Sequence, residues 1–183
     1  FVAFLRAEYG DVRGKRVAIL ARNSYQYVIC MYGTVIAGGV AVPLNLGKNW
    51  DAISYELGLT EPVCILQDGE FAEREPALAE TYGSILKPMD VFAAYEPAED
   101  VTEVEDLSAL AFIMFTSGTT GEPKGAIITH NNLLCAIDAY TQKLNLTAAD
   151  STILAVPIYH ITGLSALLAL FISLGASIWL QHR

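Results

Sequence analysis

Positive charge is scarce in this 183-residue chain: 11 Lys and Arg face 20 Asp and Glu, for a formal net charge of −9. A sequence-independent grip on nucleic acid needs clustered basic residues that displace counterions, so nucleic acid is not an expected partner. Long apolar runs are also missing. The greasiest stretch, Leu164 to Leu174, is interrupted by Ser165 and Ser173 and falls short of the roughly 20 residues that span a bilayer, so no transmembrane segment is expected. The opening residues lack a basic patch, apolar core and cleavage site in series, which leaves the cytoplasm as the expected location. Cysteines are few: Cys30, Cys64 and Cys135 are widely spaced, with no C-x-x-C and no Cys/His pairing. That pattern excludes a metal site of the zinc-finger kind and reads as buried, reduced thiols. No internal repeat or low-complexity tract is found.

What is present is core-forming material, 53% hydrophobic residues against 17% charged, enough for one folded body. Phe1 in place of an initiator Met, and an ending just after the apolar run Ala176 to Leu180, lead us to expect part of a longer chain. Val17 to Leu20 is a short apolar run between turn residues and predicts a buried strand. Tyr25, Val28, Ile29, Tyr32, Val35 and Ile36 then recur at helical spacing, with Ser24 as cap and Gly38-Gly39 as stop. The pattern continues with a strand at Val40 to Val42, a loop from Pro43 to Lys48, a helix over Trp50 to Leu59 and a strand at Val63 to Leu66. A short helix over Pro76 to Tyr82 and a strand near Ile85 follow on weaker signals. Alternating strands and helices predict an α/β fold, a layered arrangement on a parallel sheet.

From Glu96 to Asp106 six of eleven residues are acidic and none is basic, as in a solvated connection. The expected organisation is therefore a first αβ portion over 1–95, an acidic connection over 96–109 and a second portion over 110–183. In the second portion, strands are expected at Leu110 to Phe115, Ala126 to Ile128 and Thr152 to Val156. Leu133, Leu134, Ile137, Tyr140 and Leu144 mark a helix, and a second, apolar helix runs from Thr162 to Leu174.

Thr116-Ser117-Gly118-Thr119-Thr120-Gly121-Glu122-Pro123-Lys124-Gly125 separates two of these strands, with three glycines, three threonines, a serine and a single lysine in ten residues. Glycines let the backbone approach an anion so that successive N–H groups converge on it, and the hydroxyls add donors. Pro123 stiffens the arm that carries Lys124, whose ammonium suits a polyphosphate. The plainer reading, an ordinary solvated loop, stays open on composition alone. A Walker-type P-loop is disfavoured, because it needs Gly before the Lys, a hydroxyl residue after it and a following helix. Pro123 and Gly125 hold those places, and a strand follows. His160, beside an apolar helix, is either a packed or capping residue or a group that meets substrate.

Phe115 to Gly125, with Thr129-His130 and Asn132-Leu133, resembles the signature of the adenylate-forming (AMP-binding) superfamily of acyl-CoA synthetases, luciferase-like enzymes and peptide-synthetase adenylation domains. Gly14 to Leu20, Asn23-Ser24, Ala37-Gly38-Gly39 and Val42-Pro43-Leu44-Asn45 resemble its opening unit, and Val156 to Gly163 its next motif. The resemblance is greatest to an acyl-CoA synthetase or fatty-acid-CoA ligase. It implies the layered N-terminal domain of these enzymes, without their C-terminal domain. It further implies activation of a small-molecule carboxylic acid by ATP with Mg2+, and transfer of the acyl group to coenzyme A.

On this resemblance, Thr116, Ser117, Gly118, Thr119, Thr120, Gly121 and Lys124 hold the β- and γ-phosphates. His160 lies by the acid's carboxylate, and Gly163 leaves room for the acyl group. The family's acidic magnesium motif, ribose-binding Asp, hinge and catalytic Lys would fall after Arg183, so the chain alone is expected to be inactive. A carrier-protein adenylation domain, a luciferase-like enzyme and a non-catalytic nucleotide-binding or structural fragment remain alternatives. The particular acid and the oligomeric state are left open.

Overall fold

The computed structural model describes residues 1–99, 104, 106–116 and 122–181. Strand β1 (Arg16–Leu20) is the centre of the sheet, flanked by β2 (Val40–Pro43) and β3 (Cys64–Gln67). The short β4 (Leu86–Pro88) pairs with β3, while β5 (Leu110–Thr116) pairs with β2 and with β6 (Lys124–Thr129). The order is β4-β3-β1-β2-β5-β6, parallel throughout except for the antiparallel β5/β6 pair. The expected α/β class is thus observed, with an antiparallel strand on an otherwise parallel sheet.

Period-2 alternation sorts the strand residues between two cores. Val17, Ile19, Cys64, Leu66, Phe112 and Met114 pack with Phe4 and Leu5 of α1 (Val2–Tyr9) and with Tyr27, Cys30 and Met31 of α2 (Tyr25–Ile36). Ala18, Leu20, Val42 and Ile65 pack on the opposite face. Their partners are Ile53 and Leu57 of α3 (Trp50–Thr60), Phe71 of α4 (Glu70–Arg74) and Leu78 of α5 (Ala77–Tyr82). Each fully buried aliphatic side chain contributes roughly 1.5–3 kcal/mol of transfer free energy. A third cluster joins Ile137 of α6 (His130–Leu144) to Ala169, Leu170 and Phe171. The last strands, β7 (Ser151–Leu154) and β8 (Ser177–Leu180), form a separate parallel pair.

Local chemistry explains the helix boundaries. Ser24 Oγ accepts a hydrogen bond from Tyr27 N at 3.1 Å, and Gly38 leaves the helix with φ 84° after the Ala37 cap. Asn49 caps α3 through Ala52 N at 3.0 Å. Helix α6 begins at His130, earlier than the apolar stripe from Leu133 indicates, because Thr129 and Asn132 form a reciprocal capping box. The apolar stretch from Thr162 begins as a π-helical run, Thr162–Ala169, and only then becomes α7 (Leu170–Ser173). Its wider turn is seen where Leu170 N–H reaches Ser165 O.

Two helices were not expected, and two expectations need correction. Helices α1 and α4 were not legible, since their N-caps, Phe1 and Gly69, make no side-chain cap bond. Cys30 and Cys64 are buried, but Cys135 is exposed, because one helical turn spreads the run Leu133 to Ala136 around the axis. Along the α6 stripe, Ile137 is buried whereas Leu134, Tyr140 and Leu144 are exposed. The described acidic residues of the connection, Glu96, Glu99 and Asp106, are exposed as expected. Among the described residues, no helix is long and apolar enough to cross a membrane.

Ser24→Ala removes the α2 cap and leaves the Tyr27 N–H without its acceptor. The expected loss is about 1 kcal/mol of unfolding free energy, read from a chemical denaturation midpoint at unchanged slope.

Candidate active site

The glycine- and threonine-rich loop is framed as its sequence predicts. β5 ends at Thr116 and β6 begins at Lys124, and the two residues stand opposite each other in the antiparallel ladder. Thr116 Oγ1 lies 3.5 Å from Lys124 O. Ser117, Gly118, Thr119, Thr120 and Gly121, which the resemblance expects to hold phosphates, lie outside the described residues. The far arm of the loop is tied to the body by Tyr55 of α3, whose hydroxyl donates to Glu122 Oε2 at 3.3 Å. Alternation along β6 puts Lys124 on the same strand face as Ala126 and Ile128.

That face borders a cleft of about 570 Å³ lined by Pro43, Asn45, Lys48, Met114, Phe115, Thr116, Ala126, Ile128, Tyr159, His160 and Ile161. It opens beyond the carboxyl ends of β2 and β5, the usual ligand position on a parallel α/β sheet. Its size falls within the range of small-molecule sites. Thr116 and His160, forty-four positions apart in sequence, are thereby brought to one cavity. His130, at the start of α6, does not line it. Burial lowers His130's pKa from the ordinary histidine value, and the Asp106 charge partly offsets that effect.

His160 is held by its backbone and not by a packed side chain. Its N–H donates to Pro157 O at 3.1 Å and its carbonyl accepts from Leu164 N at 3.0 Å, while the imidazole is exposed beside the Tyr159 ring, centroids 4.8 Å apart. The segment before it is pinned by Asn23, which sits between β1 and α2. Asn23 Nδ2 donates to Val156 O and Asn23 Oδ1 accepts from Ile158 N, both at 3.0 Å. A buried amide satisfying two backbone groups fixes where Tyr159 and His160 start. At Gly163 the backbone itself comes close. A Cβ there would overlap the carbonyl oxygen of Pro157, so the absent side chain admits backbone on that side.

Sequence reasoning missed a second lysine. Lys48 follows β2 in a tight turn whose Asn45 Oδ1 accepts from Gly47 N at 2.8 Å. Its ammonium donates to Glu56 Oε1 and lies 5.9 Å from the centroid of the Phe115 ring. Glu56 is fully buried in α3, and its Oε2 has no hydrogen-bond partner among the described residues. Burial raises the Glu56 pKa above the usual carboxylate value, outweighing the opposing hydrogen bond and charge of Lys48. The only hint in the sequence was a glutamate inside an otherwise apolar helical face.

Among the described residues, no group of three His, Cys, Asp or Glu could hold a metal ion. The described residues therefore do not fit a protein-built magnesium cage, an arrangement that this ion seldom uses when it enters with a nucleotide. An anion is better served, with a cation, a hydroxyl and an imidazole around one cavity.

A family model described as AMP-binding enzyme matches residues 1–183. The chain belongs to the AMP-binding enzyme family. It sits among adenylate-forming CoA ligases. It is 31% identical over 159 residues to the mitochondrial malonate–CoA ligase ACSF3 of Mus musculus, a match covering 84% of this chain and 27% of that protein. The medium/long-chain-fatty-acid–CoA ligase FadD6 of Mycobacterium tuberculosis is 31% identical over 185 residues, covering 96% of this chain and 31% of its own length. Bacillus subtilis O-succinylbenzoate coenzyme A synthetase (MenE), solved in complex with ATP and magnesium ion, superposes with a TM-score of 0.83 at 26% identity. That match covers 99% of this chain and 47% of MenE. The chain thus spans 27% and 31% of the lengths of the two curated relatives.

Gly163→Ala forces the new methyl group against Pro157 O. The expected result is a loss of about 1–3 kcal/mol in stability, read by thermal or denaturant unfolding.

Proposed function

We propose that this chain supplies the phosphate-binding part of an enzyme that activates a carboxylic acid with ATP and passes the acyl group to coenzyme A. The observation that carries the reading is the strand-framed loop ending at Thr116 and Lys124, with Thr116 opening onto the same cavity as His160. Membership of the AMP-binding family supports it, and both curated relatives described above are named as CoA ligases. Those names favour coenzyme A over a carrier protein as acceptor, and over a luciferase-like reaction.

The chemistry follows from the weakness of a carboxylate as an acyl donor, since its charge repels nucleophiles and oxide cannot leave. A carboxylate oxygen attacks the α-phosphorus of ATP, the bond to the bridging oxygen breaks, and pyrophosphate departs with the electron pair. The thiol sulfur of coenzyme A then attacks the acyl carbon, loses its proton to solvent or a base, and AMP leaves. Both steps are helped by fixed donors aimed where negative charge collects. In this reading Thr116, Ser117, Gly118, Thr119, Thr120, Gly121 and Lys124 bind the β- and γ-phosphates and stabilise the departing pyrophosphate. His160 orients the acid's carboxylate at the near end of the cleft. Magnesium, if carried in with the nucleotide, would supply neutralisation of phosphate charge, without a metal-ligand cluster among the described residues.

Because the chain spans under a third of either curated relative, we assign turnover to the longer enzyme and phosphate binding to this part. On its own the chain is expected to form no acyl-adenylate. The parent enzyme is tested by trapping activated acids with hydroxylamine across a panel of aliphatic, aromatic and dicarboxylic acids. ATP consumption that depends on one class identifies the substrate, and no consumption with any acid overturns the proposal. Lys124→Ala should slow adenylation by about a hundredfold, an effect typical of losing one charge-stabilising donor. Lys124 is exposed at the strand end, so the circular dichroism spectrum and melting midpoint should stay unchanged.

A further inference from the structure

The Lys48–Glu56 pair is costly in a way that packing does not explain. Glu56 is 0% exposed and the Lys48 side chain 21% exposed. Removing two charges from water is expensive, and apolar residues of similar volume usually replace such a pair at no loss of stability. Here the carboxylate is also left half-satisfied, with Oε2 lacking a partner among the described residues.

Lys48 is also unusually well placed. Arg74 Nη2 donates to Leu46 O at 2.6 Å and to Lys48 O at 3.3 Å, and Lys48 N donates to Asn45 O at 3.1 Å. The lysine therefore projects from a backbone fixed at both ends of its turn. Its ammonium carries three donors, and Glu56 is its one hydrogen-bonded acceptor among the described residues. The same side chain lines the cleft with Thr116 and His160.

Resting on the ligase reading for the identity of its ligands, we propose that Lys48 is a second anion-binding residue of this cleft, held in place by Glu56 while the cleft is empty. It receives an anionic oxygen of the bound ligand, either a phosphate of the nucleotide or a carboxylate of the acid. Glu56 is a positioning residue. It keeps the ammonium at the cavity wall and stops a flexible four-carbon stem from swinging into solvent. The binding step moves no covalent bond; it exchanges the water around the remaining ammonium donors for a ligand oxygen.

The test compares the chain with the double variant Lys48→Met/Glu56→Leu, which removes both charges together and so avoids a stranded buried carboxylate. Calorimetric titrations use inorganic pyrophosphate for the phosphate source, and hexanoate and glutarate for the carboxylate source. The expected result is binding of at least one probe by the original chain and about tenfold or greater weakening in the double variant, as for loss of a charged hydrogen bond. The melting midpoint should be equal or higher in the double variant. The probe that loses affinity identifies which oxygen Lys48 meets. Equal affinity of both proteins for all three probes, including no measurable binding by either, overturns the proposal. So does a lowered melting midpoint with unaltered affinity, which assigns the pair to the fold. The ligase reading fails separately, by absence of acid-dependent ATP consumption in the parent enzyme.

Discussion

Hydrogen bonding between β2 and β5 is the constraint on which the cleft depends. Ala41 pairs with Phe112 in parallel register, although a long connection separates the two strands in sequence. That pairing sets the turn after β2, with Asn45 and Lys48, beside the end of β5, with Thr116. Without it the chain would hold an αβ layer and a separate hairpin, and no residue of one would share a cavity with the other. Parallel strands end on the same side of a sheet, so their outgoing loops gather there. The antiparallel β6 then returns the chain from that rim and brings Lys124 back to the level of Thr116.

Two polar contacts convert this frame into a site. Asn23 reaches from the end of β1 to the backbone of Val156 and Ile158, coupling the first turn of the sheet to the segment that carries His160. Tyr55 bonds Glu122, coupling α3 to the outer arm of the loop. Helix α3 thus braces the surroundings of the cavity twice, once through Glu122 on the loop arm and once through Glu56, which holds Lys48. Its apolar face, Ile53 and Leu57, fixes it to the sheet, so both contacts inherit the rigidity of the core.

The residues explain what was legible. β1, α2, β2 and α3 combine hydrophobic period with a capping side chain, Ser24 or Asn49, and these signals are local. The loop between β5 and β6 was legible because its composition exceeds what a plain turn requires, and its strand frame was implied by the apolar runs on either side. Helices α1 and α4 have no side-chain cap, and the π-helical run at Thr162 has the same apolar composition as an α-helix. Periodicity cannot separate those two forms over eight residues. Lys48 was missed for a different reason. A lysine in a polar turn looks solvated in sequence, and only the packing of α3 on the sheet, which buries Glu56 eight positions on, puts a buried carboxylate against it. Asn23 likewise reads as a turn residue until its partners, 133 and 135 positions away, are in view.

The small β7/β8 pair carries Trp179 on an outer face, 70% exposed, with Ile153 beside it in register and 64% exposed. Trp50, the other tryptophan of the chain, is only partly accessible and faces Tyr82 at 6.4 Å. The two indoles therefore occupy optically distinct surroundings. Emission from Trp179 should dominate the red side of the spectrum and move to the blue whenever further polypeptide is laid over these strands. The protein thus carries its own fluorescent gauge of whether the outer face of β7 and β8 is covered.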